Sequence, residues 1–310
     1  MMKIPKKSGG VRVIHNPDQD MRLIQYKILN YLLNQVPLPE YIYGFEKAKS
    51  VPLMAALHVG KRRVISLDIK DFFPSIHQHH LKTAFQKMGI GDTPSSTLSE
   101  LCTYKWFVPQ GALTSPKISN VIAAGSFGPP IKEFCDANAL TLTIYADDIT
   151  ISYNREFTDS DQESEFSRKI VGFVRQTLQG FGFRLNREKV KIMPVGKRHW
   201  VCGAVVNQKV NLLKKDRLAL RALVHNCVVH GVEHEAQKSD MDTLSFIRKY
   251  LGKLNWFCQL NPDAGSKLKA PFKELIAPLI KMYPDFEIDK GAYCSSTEIP
   301  VTDVEYATAF

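Results

Sequence analysis

The chain has 310 residues, 44% of them hydrophobic, which suggests a sizeable core and about two domains, or one unit with closely packed subdomains. Lys and Arg outnumber Asp and Glu by 41 to 31, a net charge of +10 that favours a polyanionic partner, nucleic acid before membrane. The cysteines at 102, 135, 202, 227, 258 and 294 form no CxxC pair, which argues against a zinc framework or disulfide scaffold. Reduced thiols in a cytoplasmic protein are expected, with no signal peptide and no apolar run long enough to span a bilayer.

The opening IPKKSGGVRVIHNP predicts a hairpin turning at Gly9-Gly10. Residues 20–35 have helical periodicity, with Leu23, Tyr26, Ile28, Leu32 and Leu33 apolar, and Pro37-Leu38-Pro39 stops that helix. VISLDI (64–69) predicts a buried strand, and the chain turns at Pro74. A helix is expected over 78–88, then the loop GIGDTPSS, then a helix near 95–104. LTLTIYADDITISY (140–153) alternates as a β-hairpin does, with YADD at its turn. Residues 160–180 predict an amphipathic helix, HWVCGAVV (199–206) a strand, and 212–282 mostly helix.

The charge is uneven. Residues 186–282 hold 18 basic and 8 acidic side chains, while 283–310 hold 1 and 6. The basic stretch reads as a nucleic-acid clamp or as a solvated helical surface. The acidic end reads as a free tail or as a segment docked on a basic face.

Asp147 and Asp148 stand between apolar β-formers, and Asp68 sits inside another apolar strand. Burying such carboxylates is costly unless something compensates them, and a divalent cation would remove their repulsion. Three acids on neighbouring strands could hold two Mg²⁺ ions roughly 4 Å apart, a pair that activates a 3′-hydroxyl and stabilises leaving pyrophosphate. By itself an Asp-Asp pair is also the signature of a plain turn or a solvated face.

YADD between two β-runs, with LDIKDFF earlier in the chain, resembles the palm of reverse transcriptases. The resemblance places the metal-binding, catalytic aspartates at Asp68, Asp147 and Asp148, with the backbone carbonyl of Ile69 as a further ligand. It implies two Mg²⁺ ions, with Mn²⁺ as a substitute. VPQGALTSPKISN (108–120) resembles the segment between those motifs: Gln110 would contact the nucleotide sugar, and Ser115 and Asn120 could also cap the next helix. Lys6, Lys7 and Arg12 match the fingers residues that grip a triphosphate, or form a surface charge run. FGFRLNREKVKI (181–192) resembles the next palm motif, in which Lys189 would protonate the leaving pyrophosphate. HWVCGAVV resembles the hairpin that holds the primer end. The match runs over about residues 3–205, in the family's order.

Phe73 falls on the family's aromatic sugar gate, which selects dNTPs by leaving no room for a 2′-hydroxyl; it could also be plain core. Viral RNA-dependent RNA polymerases usually carry Gly before the paired aspartates, where this chain has Ala146. The compact chain, with no room expected for further nuclease domains, resembles the bacterial retron class. Met54-Ala55-Ala56-Leu57-His58 keeps the Ala and His of that class's NAxxH element, and Val201-Cys202-Gly203 departs from its VTG in one residue.

The resemblance implies an α+β fold: a right-hand polymerase with fingers and palm (antiparallel sheet plus helices) and a mostly helical thumb. Fingers are expected over 1–63 and 77–112, palm over 64–76 and 113–205, thumb over 206–284, and an acidic tail over 285–310. It also implies a structured non-coding RNA as template and primer, a branched RNA–DNA product, a separate effector protein in anti-phage defence, and no membrane partner. The thumb helices would grip RNA phosphates through Lys214, Lys215, Arg217 and Arg221, with Arg248, Lys249 and Lys253 further on. Trp256 and Phe257 read as core or base-stacking residues. The histidines at 77, 79 and 80 and at 225, 230 and 234 read as polar surface or RNA contacts. A defence reverse transcriptase with different priming, or an RNA-binding scaffold with an inactive site, stays open.

Overall fold

A computed structural model describes residues 2–5 and 9–282; Lys6, Lys7, Cys294 and the tail 285–310 lie outside the described residues. The chain divides into two compact units, one ending at Leu213 and one beginning at Lys214.

In the first unit β1 (Met2–Pro5) and β2 (Val11–Ile14) form the expected hairpin. Helix α1 (Gln19–Tyr31) starts at Asp18, whose carboxylate accepts from Met21 N at 2.8 Å. The helix is shorter than predicted, because Leu33–Gln35 form a separate tight turn. Ile28 and Leu33 enter the core, whereas Leu23 and Tyr26 stay exposed.

Then follow α2 (Val51–Ala56), β3 (Arg63–Asp68), α3 (Phe72–Ser75), α4 (Gln78–Lys87) and α5 (Asp92–Leu101). Helix α5 corrects the expected loop at GIGDTPSS. Its buried face carries Ser95 and Ser99, whose hydroxyls donate to the Ile90 and Ser96 carbonyls, so small residues pack where no apolar signal shows.

Next come α6 (Ser115–Gly125), α7 (Gly128–Ala137), β4 (Thr141–Tyr145), β5 (Asp148–Tyr153), α8 (Ser160–Gly180) and β6 (Lys191–Met193). The unit closes with β7 (Trp200–Val201) and β8 (Ala204–Val205). The 199–206 segment is thus a tight hairpin rather than one strand, because Cys202 and Gly203 both take positive φ, 40° and 88°.

The central sheet has four antiparallel strands in the order β4-β5-β3-β6. Strand β3 is buried on both faces, which explains why VISLDI reads as a continuous apolar run. Ile65, Leu67, Ile149 and Ile151 are fully buried and join Phe72, Phe127 and Phe183 in the core. Arg63 at the start of β3 pairs with Glu163 of α8 at 2.7 Å. His58 is completely buried, with Nδ1 2.7 Å from Ser152 Oγ and Nε2 2.8 Å from Thr143 Oγ1, so it ties β5 to β4.

The second unit contains α9 (Lys214–His230), α10 (Val232–Lys238), α11 (Thr243–Leu260) and α12 (Pro262–Lys281). Its core includes Val224, Cys227, Phe246, Leu254, Phe272 and Ile276. Phe257 is fully buried and Trp256 half-buried. Among the described residues no helix is long and apolar enough to cross a membrane.

Candidate active site

Asp148 opens β5 and pairs in register with both Asp68, the last residue of β3, and Tyr145, the last of β4. Ala146 and Asp147 form the turn between β4 and β5, with Ala146 at φ 51°. The pairing thus brings Asp68 beside the YADD turn. Ile69, the expected carbonyl ligand, donates its own N–H to the Asp147 carbonyl at 2.9 Å, which ties the end of β3 to the turn.

Electrostatics at this end of the sheet are strained. Burial, then the Asp147 and Asp68 charges, push Asp148 up to about 7. Burial and the Asp68 charge also raise Asp147, and the Lys189 and Arg12 charges partly oppose this. Lys189 Nζ donates to Asp68 Oδ2 at 2.7 Å, and Asn186 Nδ2 donates to Asp68 Oδ1 at 3.0 Å. The hydrogen bond to Asp68 raises Lys189 above the ordinary lysine value, so it is a full cation at neutral pH.

Other sequence-predicted residues fall around this centre. Arg12 on β2 lies close enough for its charge to act on Asp147. The Gln110 carbonyl accepts from His15 N at 2.8 Å, and Gly111 (φ 105°) lies where an added Cβ would sit 2.5 Å from Ile14 Cγ2. The 110–111 bend therefore packs on the end of the β1–β2 hairpin, and only glycine fits there. Phe73 is half-buried at the edge of the core, while Phe72 beside it is buried against Phe127 and Phe183. Ser115 and Asn120 do not cap α6. The Ser115 hydroxyl donates to the Pro109 carbonyl at 2.7 Å, and Asn120 reaches back to the 44–46 segment. Lys6 and Lys7 lie outside the described residues. In the second unit Lys214, Lys215 and Arg221 are exposed and Arg217 half-buried. Among the described residues no three His, Cys, Asp or Glu side chains are drawn together as a metal site, at the acids or at His225, His230 and His234.

A family model described as reverse transcriptase (RNA-dependent DNA polymerase) matches residues 4–241. The chain belongs to the reverse transcriptase family. It is 29% identical to the retron Mx65 reverse transcriptase of Myxococcus xanthus, over 86% of this chain and 62% of that protein. It is 28% identical to the retron Ec86 reverse transcriptase of Escherichia coli, over 70% of this chain and 65% of that one. The retron Se72 reverse transcriptase of Salmonella heidelberg is also 28% identical, with 96% of this chain and 78% of that protein covered. The chain thus spans less than two thirds of the length of the first two of these relatives. Its fold is similar to that of a telomerase from Candida tropicalis solved with a telomeric RNA fragment, at TM-score 0.50 and 15% identity, covering 92% of this chain and 55% of that one.

Two supports of this candidate site escape a reading of the sequence. The first runs under the turn. Residues 41–43 extend parallel to β4 through Ile144 N to Tyr41 O and Tyr43 N to Ile144 O, each 2.8 Å. Gly44 then lies against Ala146, where a Cβ would come within 2.9 Å of the Ala146 nitrogen. Buried Asn120 donates to the Gly44 carbonyl and to Glu46 Oε1, and Lys117 Nζ pairs with Glu46 at 3.0 Å. The second support is Cys202, whose thiol lies 3.7 Å from Asp148 Oδ2 and donates to it. Burial and the Asp148 charge raise this thiol's pKa, so it stays protonated. For the first support the sequence offered Asn120, read as a cap of the next helix; for the second it offered Cys202 in place of Thr.

Proposed function

We propose that this chain is an RNA-directed DNA polymerase of the retron type. It copies a structured non-coding RNA, which serves as template and primer, into a branched RNA–DNA molecule, and works beside a separate effector protein in anti-phage defence. The observation that carries the polymerase reading is the register of Asp68 opposite Asp148, with Asp147 in the adjoining turn and Arg12 and Lys189 supplying positive charge. The similarity to proteins named as retron reverse transcriptases supports the subclass.

The residues present fit a divalent cation. Asp147 and Asp148 are hard oxygen donors whose proton affinity is raised by burial and by neighbouring carboxylate charges, a state that a cation relieves. Asp68, Asp147 and Asp148, with the Ile69 carbonyl, would hold Mg²⁺. When bound, Mg²⁺ supplies activation of the primer hydroxyl and neutralisation of the triphosphate. The chain's own groups do the rest. Arg12, with Lys6 and Lys7, grips the triphosphate, and Gln110 and Phe73 face the sugar. Lys189, held protonated beside Asp68, gives its proton to the departing pyrophosphate. In this reading the fingers comprise 1–63 and 77–112, the palm 64–76 and 113–205, and the thumb 206–284, which holds the helices α9 to α12.

The test is Mg²⁺-dependent dNTP incorporation on a primed RNA template, with sequencing of nucleic acid that copurifies with the protein. Incorporation together with a 2′–5′-joined RNA–DNA is expected. A purified, folded protein that incorporates no dNTP overturns the polymerase reading, and incorporation without a branched product overturns the retron assignment.

A further inference from the structure

Tyr104 and Phe107 close a two-residue hairpin, with Tyr104 N to Phe107 O at 2.8 Å and Phe107 N to Tyr104 O at 3.2 Å. The loop residues Lys105 and Trp106 both take positive φ, 50° and 72°. Two positive-φ positions in such a loop are those of a type I′ turn, which favours Asn-Gly. A Lys and a Trp there are strained, because a Cβ crowds the backbone in the left-handed region.

The neighbourhood holds the strain in place. Gln78 N donates to the Trp106 carbonyl at 2.8 Å, Val108 N donates to the Ile76 carbonyl at 3.0 Å, and His77 pairs with Phe107 as an antiparallel bridge. A bulky residue kept in an unfavourable conformation by its surroundings points to a use for that conformation. Core packing is not the use, since Trp106 is 70% exposed and Tyr104 49%.

The turn displays several ring faces beside one cationic side chain. Lys105 Nζ lies 5.5 Å from the centre of the Tyr104 ring. The exposed His77 ring lies 4.5 Å from Phe107 and 5.5 Å from the exposed His79. On the other side the His15 ring lies 4.9 Å from Tyr104, and His15 N also bonds the Gln110 carbonyl. Flat aromatic faces beside a lysine suit unpaired bases and their phosphates, because stacking tolerates any base. The chain's net charge of +10 favours a polyanion over a protein on this patch.

We propose that the Tyr104–Phe107 turn is a docking site for single-stranded RNA, with Trp106 stacked on an unpaired base and Lys105 facing a phosphate. This rests on the reading that the chain's partner is RNA. It adds an RNA-binding point on the first unit, apart from the basic helix α9.

Fluorescence anisotropy with labelled oligoadenylate tests it on the full chain. Thermal unfolding and extension of a supplied primer–template at saturating concentration are measured in parallel. Trp106→Ala should weaken binding roughly 5- to 150-fold, the range for one stacked base, while Trp106→Phe retains most of the affinity. Lys105→Asn with Trp106→Gly installs the residues that the turn prefers. It should raise Tm while binding falls at least as far as in Trp106→Ala, and extension at saturation should persist in all three variants. Oligoadenylate affinity within twofold of the parent for Trp106→Ala overturns the proposal, as does a lower Tm in the double variant. So does a parent protein that extends primers yet does not bind oligoadenylate, an outcome that leaves the polymerase reading standing. A parent that binds oligoadenylate but incorporates no dNTP sinks the polymerase reading alone.

Discussion

Asp68 stands directly opposite Asp148 in the antiparallel pairing of β3 with β5, so two carboxylates share a cross-strand position. Like charges so placed repel, and the fold is less stable for it. Asp148→Asn removes one of them. Extension should fall by ~10³-fold or more, the scale of removing one electrostatic stabiliser of the transition state. Without divalent cations, Tm should stay level or rise. Near-parental extension by this variant would remove the two-metal assignment.

Phe72 and Phe73 are neighbours with different surroundings. Phe72 is buried among Phe127 and Phe183, and Phe73 is half-buried at the core's edge. Phe73→Val should raise the rNTP-to-dNTP incorporation ratio by roughly 10-fold or more, because space opens beneath C2′. Phe72→Ala should instead cost about 3–5 kcal/mol of stability with no change in sugar choice. Competition assays with paired rNTP and dNTP, plus denaturant unfolding, separate the two. An unchanged ratio in Phe73→Val places the gate elsewhere.

Gly44 supports the turn from below. In Gly44→Ala the new Cβ would meet the Ala146 nitrogen at 2.9 Å, so backbone must shift beneath Asp147. A displacement of that kind should lower kcat roughly 10- to 100-fold with a smaller effect on Tm. Asn120→Ala should lower both, because it releases the Gly44 carbonyl and Glu46 together. Parental kcat in Gly44→Ala would show that the turn tolerates the shift.

His58 is a buried neutral histidine. Burial depresses it to about 3, well under its ordinary value, so the unfolded chain takes up a proton that the folded chain refuses. Its contribution to stability is complete above about pH 6.5 and is lost as pH falls towards 3, at up to about 1.4 kcal/mol per pH unit. His58→Gln should flatten that stretch of the stability-versus-pH curve, measured by urea unfolding. It should also lower stability at neutral pH, since Ser152 and Thr143 lose optimal partners. An identical acid slope in the variant would assign the dependence to other groups.

Lys214, Lys215 and Arg221 project from the first half of α9, with Arg217 half-buried among them. Neutralising all four should weaken binding to copurified RNA and reduce the log–log salt slope by roughly one for each phosphate that these side chains no longer neutralise. Extension of a supplied primer–template at high concentration should suffer less. Unaltered affinity and slope would mark this helix surface as merely solvated.

Local pattern made the acids legible. Asp68, Asp147 and Asp148 each interrupt an apolar β-run, and neighbours within a few residues suffice to read both the strands and the turn at Ala146-Asp147. The β1–β2 hairpin and α8 were readable for the same reason. Where the local signal was weak or shared, the reading failed: α5 begins inside a Ser-, Thr- and Pro-rich stretch, and Leu23 and Tyr26 face solvent despite their helical spacing. The register of Asp68 with Asp148, Lys189 on Asp68, Cys202 against Asp148 and Gly44 under Ala146 were decided only by the tertiary structure. Each joins residues far apart in the chain. Strand register and close backbone approach depend on how distant segments pack, whereas side-chain periodicity records only which face of a single segment is buried.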